Sequence, residues 1–245
     1  MVEQKSNYRG GDSLREQETV SSQPATVKQH EYRQRAGDTE HYDHFYKIVL
    51  IGDAGVGKSN FLLRYVKDKY RSVSATIGVE FAYKVSMLKN KTKVKAQIWD
   101  TSGSEKYRSI TTGHYRFALG AVLFYDISNA DTFKNCKYWL ENVKLYADEN
   151  VVIALVGNKS DILNVNPTRR EVPKELAEKF ARENNLIFVG ESSSQSNQNI
   201  KEVMDALLER VFMVQSELVK KGKKRMETLK MSEEALMLNN HRCCY

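Results

Sequence analysis

Cysteine is scarce in this chain, three residues in 245, and the three are far apart: Cys136 inside a helical pattern, Cys243 and Cys244 at the end. An odd, scattered set with no secretory apolar region argues against a disulfide framework and for a reducing compartment. No stretch approaches the ~20 apolar residues that span a bilayer, so any membrane attachment is expected to be covalent or peripheral. No basic stripe interleaved with aromatics is present, although Lys and Arg outnumber Asp and Glu by 38 to 31. The positive charge collects ahead of the last cysteines, at Lys220, Lys221, Lys223, Lys224, Arg225 and Lys230. That placement favours a membrane surface over nucleic acid as a partner. Residues 1–43 have almost no aliphatic side chains and no period of two or 3.6, which predicts a disordered polar arm. With residues 215–245 read as a basic, partly helical tail, residues 44–214 remain for one well-filled core.

Within that core the apolar runs are short and branched. Residues 45–51 (FYKIVLI), 121–125 (AVLFY), 151–156 (VVIALV) and 186–189 (LIFV) are nearly continuous, as in a sheet covered on both faces. Residues 81–88 and 94–99 predict two strands around a turn at Lys89-Asn90-Lys91. Helical patterns fall at 58–67, 132–145, 173–184 and 199–214, with Asp131 as a cap for the second and Pro173 in the first turn of the third. Strands alternating with helices predict βαβ units, and hence an α/β fold with a mostly parallel sheet.

Between the first strand and the first helix, Gly52-Asp53-Ala54-Gly55-Val56-Gly57-Lys58-Ser59 matches GxxxxGK[ST]. The glycines let successive N–H groups converge on a phosphate, Lys58 is placed for the terminal phosphates, and the Ser59 hydroxyl is a Mg²⁺ ligand. Asn158-Lys159-Ser160-Asp161 follows another strand directly. The Asp161 carboxylate can accept two hydrogen bonds from the ring N–H and amino group of guanine, a pattern adenine does not offer. Asn158 is expected to tie loops together, and the Lys159 stem to cover the base. Trp99-Asp100-Thr101-Ser102-Gly103 closes a third strand: Asp100 is a candidate Mg²⁺ holder through water, and the Gly103 N–H a donor to a γ-phosphate. Thr76 lies in a turn-rich stretch where its hydroxyl can join the ion only when a third phosphate orders the loop. These segments read as the movable parts of a switch.

GDAGVGKSNFLLRY, TIGVEFAY, KVKAQIWDTSG, GNKSD and the paired-cysteine end together resemble the Rab branch of Ras-like small GTPases, over about residues 45–214. The stretch IGVEF, residues 77–81, is similar to Rabs in particular, and the nearest subgroup resembled is that of recycling endosomes and post-Golgi carriers. The resemblance implies a P-loop NTPase small G domain with a six-stranded sheet, five strands parallel and one antiparallel, flanked by helices. It implies GTP, GDP and Mg²⁺ as ligands held by residues 53–60, from Asp53 through Asn60, with Tyr70 against the guanine. Glu191-Ser192-Ser193-Ser194-Gln195 stands where the family has its ETSAK loop, so Ser193 matches the family serine and the Ser194 main-chain N–H would meet the guanine O6. Ile77, Gly78, Phe81, Trp99, Tyr107 and His114 would form the effector surface.

Three departures from the family pattern carry weight. Ser104 replaces the glutamine that positions the attacking water, alongside Gly103, Lys58 and Thr76, which predicts slow intrinsic hydrolysis. Six residues separate Tyr70 from Thr76, one fewer than is common. His114-Tyr115-Arg116-Phe117 replaces YYRG, and an imidazole at 114 is expected to charge near neutral pH. Cys243-Cys244-Tyr245 is similar to Rab ends that receive two geranylgeranyl chains, which turn marginal adsorption into stable anchoring. Implied partners are exchange factors, GTPase-activating proteins, effectors, Rab escort protein and GDP-dissociation inhibitor, on the cytoplasmic face of endosomal or post-Golgi membranes with a cytosolic pool. A hydrolysis-deficient GTP-binding scaffold is the alternative that Ser104 raises. A P-loop small-molecule kinase is opposed by Thr76 and residues 158–161.

Overall fold

Both faces of strand β1, His44–Gly52, are covered, and its sequence accordingly reads as a branched run with little alternation. The computed structural model describes residues 41–71, 79–101, 103 and 113–221. After β1 come α1 (Lys58–Lys67), β2 (Val79–Met87), β3 (Lys93–Thr101), β4 (Gly120–Asp126), α2 (Ala130–Lys134) and α3 (Cys136–Tyr146). They are followed by β5 (Val152–Asn158), α4 (Ile162–Val165), α5 (Lys174–Glu183), β6 (Ile187–Glu191) and α6 (Ile200–Lys220). The strands form one sheet in the order β2-β3-β1-β4-β5-β6. β2 runs antiparallel to β3 and every other neighbouring pair is parallel, so the expected α/β architecture is what forms.

Two apolar layers sandwich the sheet. On one face Ile48, Leu50, Ile98, Val122 and Phe124 pack with Phe61, Leu62 and Tyr65 of α1 and Leu207 and Val211 of α6. On the other, Val49, Ile51, Leu123 and Leu155 pack with Trp139, Leu140 and Val143 of α3 and Ala177 of α5. Each large buried side chain contributes roughly 1.5–3 kcal/mol, and these layers fix the strand ends that carry the polar residues. The chain leaves β1 toward β3 and β2 on one side and returns to β4 on the other. The loop after β1 therefore opens at the point where the strand order reverses, beside the carboxyl ends of the parallel strands.

Three local features differ from the sequence reading. The pattern at 132–145 forms two helices that meet at Asn135, and the cap is Asn129, whose side chain accepts from the Asp131 N–H. A cap must precede the helix, and α2 starts at Ala130, which leaves Asp131 inside the first turn. Pro173 occupies the N-cap position of α5. The last helix runs to Lys220, past residue 214, because VQSELVK contains neither glycine nor proline to end it. The turn at Lys89-Asn90-Lys91 forms as read, with Asn90 Oδ1 accepting from the Thr92 N–H at 3.0 Å.

Candidate functional site

The loop after β1 needs its glycines for space as well as for curvature. Gly57 caps α1 at φ 101°, and a methyl group there would stand 2.3 Å from Asn158 Nδ2. No side chain caps α1, and the loop before it has Gly55 at φ 79° and Ala54 exposed at the crown and Val56 fully buried below. Lys58 is only 6 % exposed, and its ammonium donates to the carbonyls of Gly52 and Asp53, each at 2.8 Å. Burial lowers its pKa to about 8, while Asp100 and Asp53 pull in the opposite direction. A desolvated ammonium beside convergent N–H donors is a receptor for phosphate oxygens. Asn60, also buried, accepts from the Arg71 N–H at 3.3 Å.

Next to Lys58 the Ser59 hydroxyl donates to Asp100 Oδ2. Asp100, 1 % exposed at the end of β3, has its pKa raised to about 6 by burial, against the pull of the Ser59 hydrogen bond and of Lys58. Its Oδ1 is buried without a hydrogen-bond partner. A buried carboxylate oxygen left over beside a hydroxyl is the hard oxygen set that Mg²⁺ takes when phosphates and waters supply its remaining ligands, so these residues fit that ion. Gly103 lies flush on the loop: a methyl group there would be 2.3 Å from both the Ala54 nitrogen and the Asp53 carbonyl carbon. Thr76 and Ser104 lie outside the described residues.

The loops after β5 and β6 are held by side chains in pairs. Asn158 Nδ2 donates to the Val56 carbonyl at 2.9 Å and its Oδ1 accepts from the Ser192 hydroxyl at 3.2 Å, joining the loops after β1, β5 and β6. The Ser193 hydroxyl donates to Asp161 Oδ1 at 2.5 Å, which fixes one edge of that carboxylate. Lys159, at φ 69°, pairs with Asp126 Oδ2 at 2.6 Å. Ser194 is buried, its carbonyl accepting from Arg64 Nε at 2.9 Å, and the Gln195 carbonyl accepts from the same guanidinium at 3.1 Å. Tyr70 is 46 % exposed.

A second surface lies on β2 and β3. Phe81, Trp99 and His114 form a continuous row, with ring centroids 5.1 and 5.2 Å apart. The Lys47 ammonium sits 4.7 Å from the Trp99 ring centre and donates to the Arg116 carbonyl at 2.9 Å. Burial and this neighbouring cation hold the His114 pKa below its ordinary value, which corrects the expectation that it charges near neutral pH. Phe117 has φ 63°, a left-handed conformation rare for a bulky side chain, and is 57 % exposed. Ile77, Gly78, Tyr107, Cys243 and Cys244 lie outside the described residues.

Sequence reasoning missed several contributors. Asn135 and Trp139 hold the Asp53 carboxylate, Arg64 ties α1 to the loop after β6, and Arg170 grips Glu191 at 2.5 and 2.8 Å. The i, i+4 spacing of Asn135 and Trp139 signals a shared helix face, but nothing linear connects that face to residue 53.

Comparison with known proteins gives a consistent set of likenesses. A model described as the Ras family matches residues 47–213. The chain is 47% identical over 178 residues to "GTP-binding protein ypt3" of Schizosaccharomyces pombe, covering 72% of this chain and 80% of that protein. It is 40% identical over 200 residues to "Ras-related protein YPTC6" of Chlamydomonas reinhardtii, covering 81% of this chain and 90% of that one.

Proposed function

This chain belongs to the Ras family, as a Rab-like small GTPase, and on that premise we propose that it is a membrane-trafficking switch that binds GTP and GDP on Mg²⁺. The observation that carries the reading is that Lys58, Ser59 and Asp100 on one side, and Asn158, Asp161 and Ser193 on the other, are joined at the loop after β1 through the Asn158–Val56 hydrogen bond. In this reading, the loop 53–59 and the start of α1 hold the phosphates, and Asp161, steadied by Ser193, selects guanine. Ser59 and Asp100 hold Mg²⁺, which supplies charge neutralisation for the phosphates. Thr76 and the Gly103 N–H report the third phosphate. The name of the fission-yeast relative states GTP binding for that protein and agrees with this assignment.

Residues 44–214 form the GTPase domain in this reading, preceded by a polar arm at 1–43 and followed by a basic tail at 215–245. Effectors meet Phe81, Trp99 and His114 together with Ile77, Gly78 and Tyr107. Cys243 and Cys244 carry geranylgeranyl chains that place the protein on the cytoplasmic face of recycling endosomes or post-Golgi vesicles. Among the described residues no helix is long and apolar enough to cross a membrane, so the lipid is the anchor in this account.

Serine's hydroxyl is too short to bridge the water and the transition state as a glutamine amide does, so hydrolysis is slow and the GTP form long-lived. Nucleotide extracted from purified protein is then predominantly GTP, and Ser104→Gln raises single-turnover phosphate release by at least about tenfold. Phosphate release no faster than the solution background, even with a GTPase-activating protein, leaves a GTP-binding scaffold.

A further inference from the structure

Asp53 is the one acidic side chain in the loop Gly52-Asp53-Ala54-Gly55-Val56-Gly57-Lys58-Ser59. A carboxylate there opposes any phosphate bound by the same loop unless it is turned elsewhere. Both of its oxygens are taken by α3 and the junction before it: Oδ1 accepts from Trp139 Nε1 at 2.6 Å, and Oδ2 from Asn135 Nδ2 at 2.8 Å. The two donors are neutral, so they satisfy the carboxylate without discharging it. Trp139 is buried and packed into the α3 layer, which fixes where its N–H points. The main chain of Asp53 is shared property of the site: its carbonyl accepts from Lys58, and Gly103 lies against that same carbonyl group.

We propose that Trp139 and Asn135 are positioning residues for nucleotide retention, holding the Asp53 carboxylate toward α3 and away from the phosphates. The assignment rests on the GTPase reading above. When Trp139 loses its N–H, the carboxylate turns toward the loop interior and release of nucleotide accelerates. Removing the charge at residue 53 then cures the defect, although the indole is still missing.

The test follows release of a fluorescent GDP from the full chain with Mg²⁺ and excess unlabelled GDP. Loss of one charge-assisted hydrogen bond in Trp139→Phe is expected to speed release by about tenfold, and loss of the exposed partner in Asn135→Ala by about threefold. Asp53→Asn slows release from Trp139→Phe by about tenfold and slows it less in the wild-type background, and that difference between backgrounds is an outcome a packing role for Trp139 does not produce. A Trp139→Phe rate equal to wild type, or a double variant as fast as Trp139→Phe, overturns the proposal. If Trp139→Phe does not fold, Asn135→Ala and Asp53→Asn, singly and together, complete the same cycle with the same two outcomes. Wild-type protein that takes up no GDP overturns the GTPase reading itself; wild-type retention without acceleration in the variants overturns this inference alone.

Discussion

The loops after β5 and β6 and the aromatic row of Phe81, Trp99 and His114 are built by opposite means. In those loops, side chains are pinned by named partners: Asn158 by Val56 and Ser192, Asp161 by Ser193, Lys159 by Asp126, Glu191 by Arg170. On the aromatic row, rings touch rings, Phe81 is 40 % exposed, and Phe117 stands outward in a strained backbone conformation. The first region is fixed side chain by side chain, as the proposed reading of one ligand geometry requires. The second needs only area and shape, and it is there that the sequence departs from the YYRG pattern.

The sharpest break in that contrast is Asp161→Asn. A charged acceptor of two hydrogen bonds becomes a neutral acceptor and donor, at about 1.5–3 kcal/mol per charged bond, so GDP affinity is expected to fall on the order of 100-fold or more in an equilibrium titration. The melting point should barely move, because Ser193 can still donate to the amide oxygen. A change of smaller size belongs to the aromatic side. Phe117→Gly relieves a left-handed residue that costs roughly 1–2 kcal/mol, partly offset by glycine's entropy and by loss of the Arg116 guanidinium 4.9 Å from the ring. Net stabilisation of up to about 1 kcal/mol, or about 2–4 °C in Tm, is the expected result, with GDP affinity unchanged.

Smallest is the pH response of His114. Its folded pKa lies below the unfolded one, so protonation on acidification opposes the folded state. Stability from this group is therefore present above the ordinary imidazole pKa and is lost as pH falls through it. An NMR titration should give a His114 midpoint below the usual value of about 6.5, and Lys47→Met should raise it by removing the nearby cation. A midpoint at or above the usual value would sink the view that burial and Lys47 disfavour the His114 cation.

The part of the molecule governed by local rules was readable from the chain. Continuous branched runs gave β1, β4 and β5 to within a residue or two, and GDAGVGKS and NKSD each sat at a strand end as read. What stayed hidden depends on three-dimensional proximity. The hold of Trp139 on Asp53 spans 86 positions and that of Arg64 on Ser194 spans 130, distances at which no period or spacing speaks. The pKa of His114 was misread for the same reason: the burial that chiefly lowers it, and the Lys47 charge that adds to this from β1, both come from the fold. The junction at Asn135 was missed because Asn, Cys and Lys in sequence carry no breaker signal.

In the proposed function, Asp161 discriminates guanine from adenine while Lys58 and Ser59 grip the phosphates. Competition of unlabelled nucleotides against fluorescent GDP, on the intact chain with Mg²⁺, measures that discrimination directly. GDP and GTP should each displace the probe at sub-micromolar concentrations, and ATP should fail even at about a thousandfold excess, the discrimination expected when buried polar groups would be left unpaired. Displacement by ATP at concentrations similar to GTP, or no binding of the probe at all, would contradict the account.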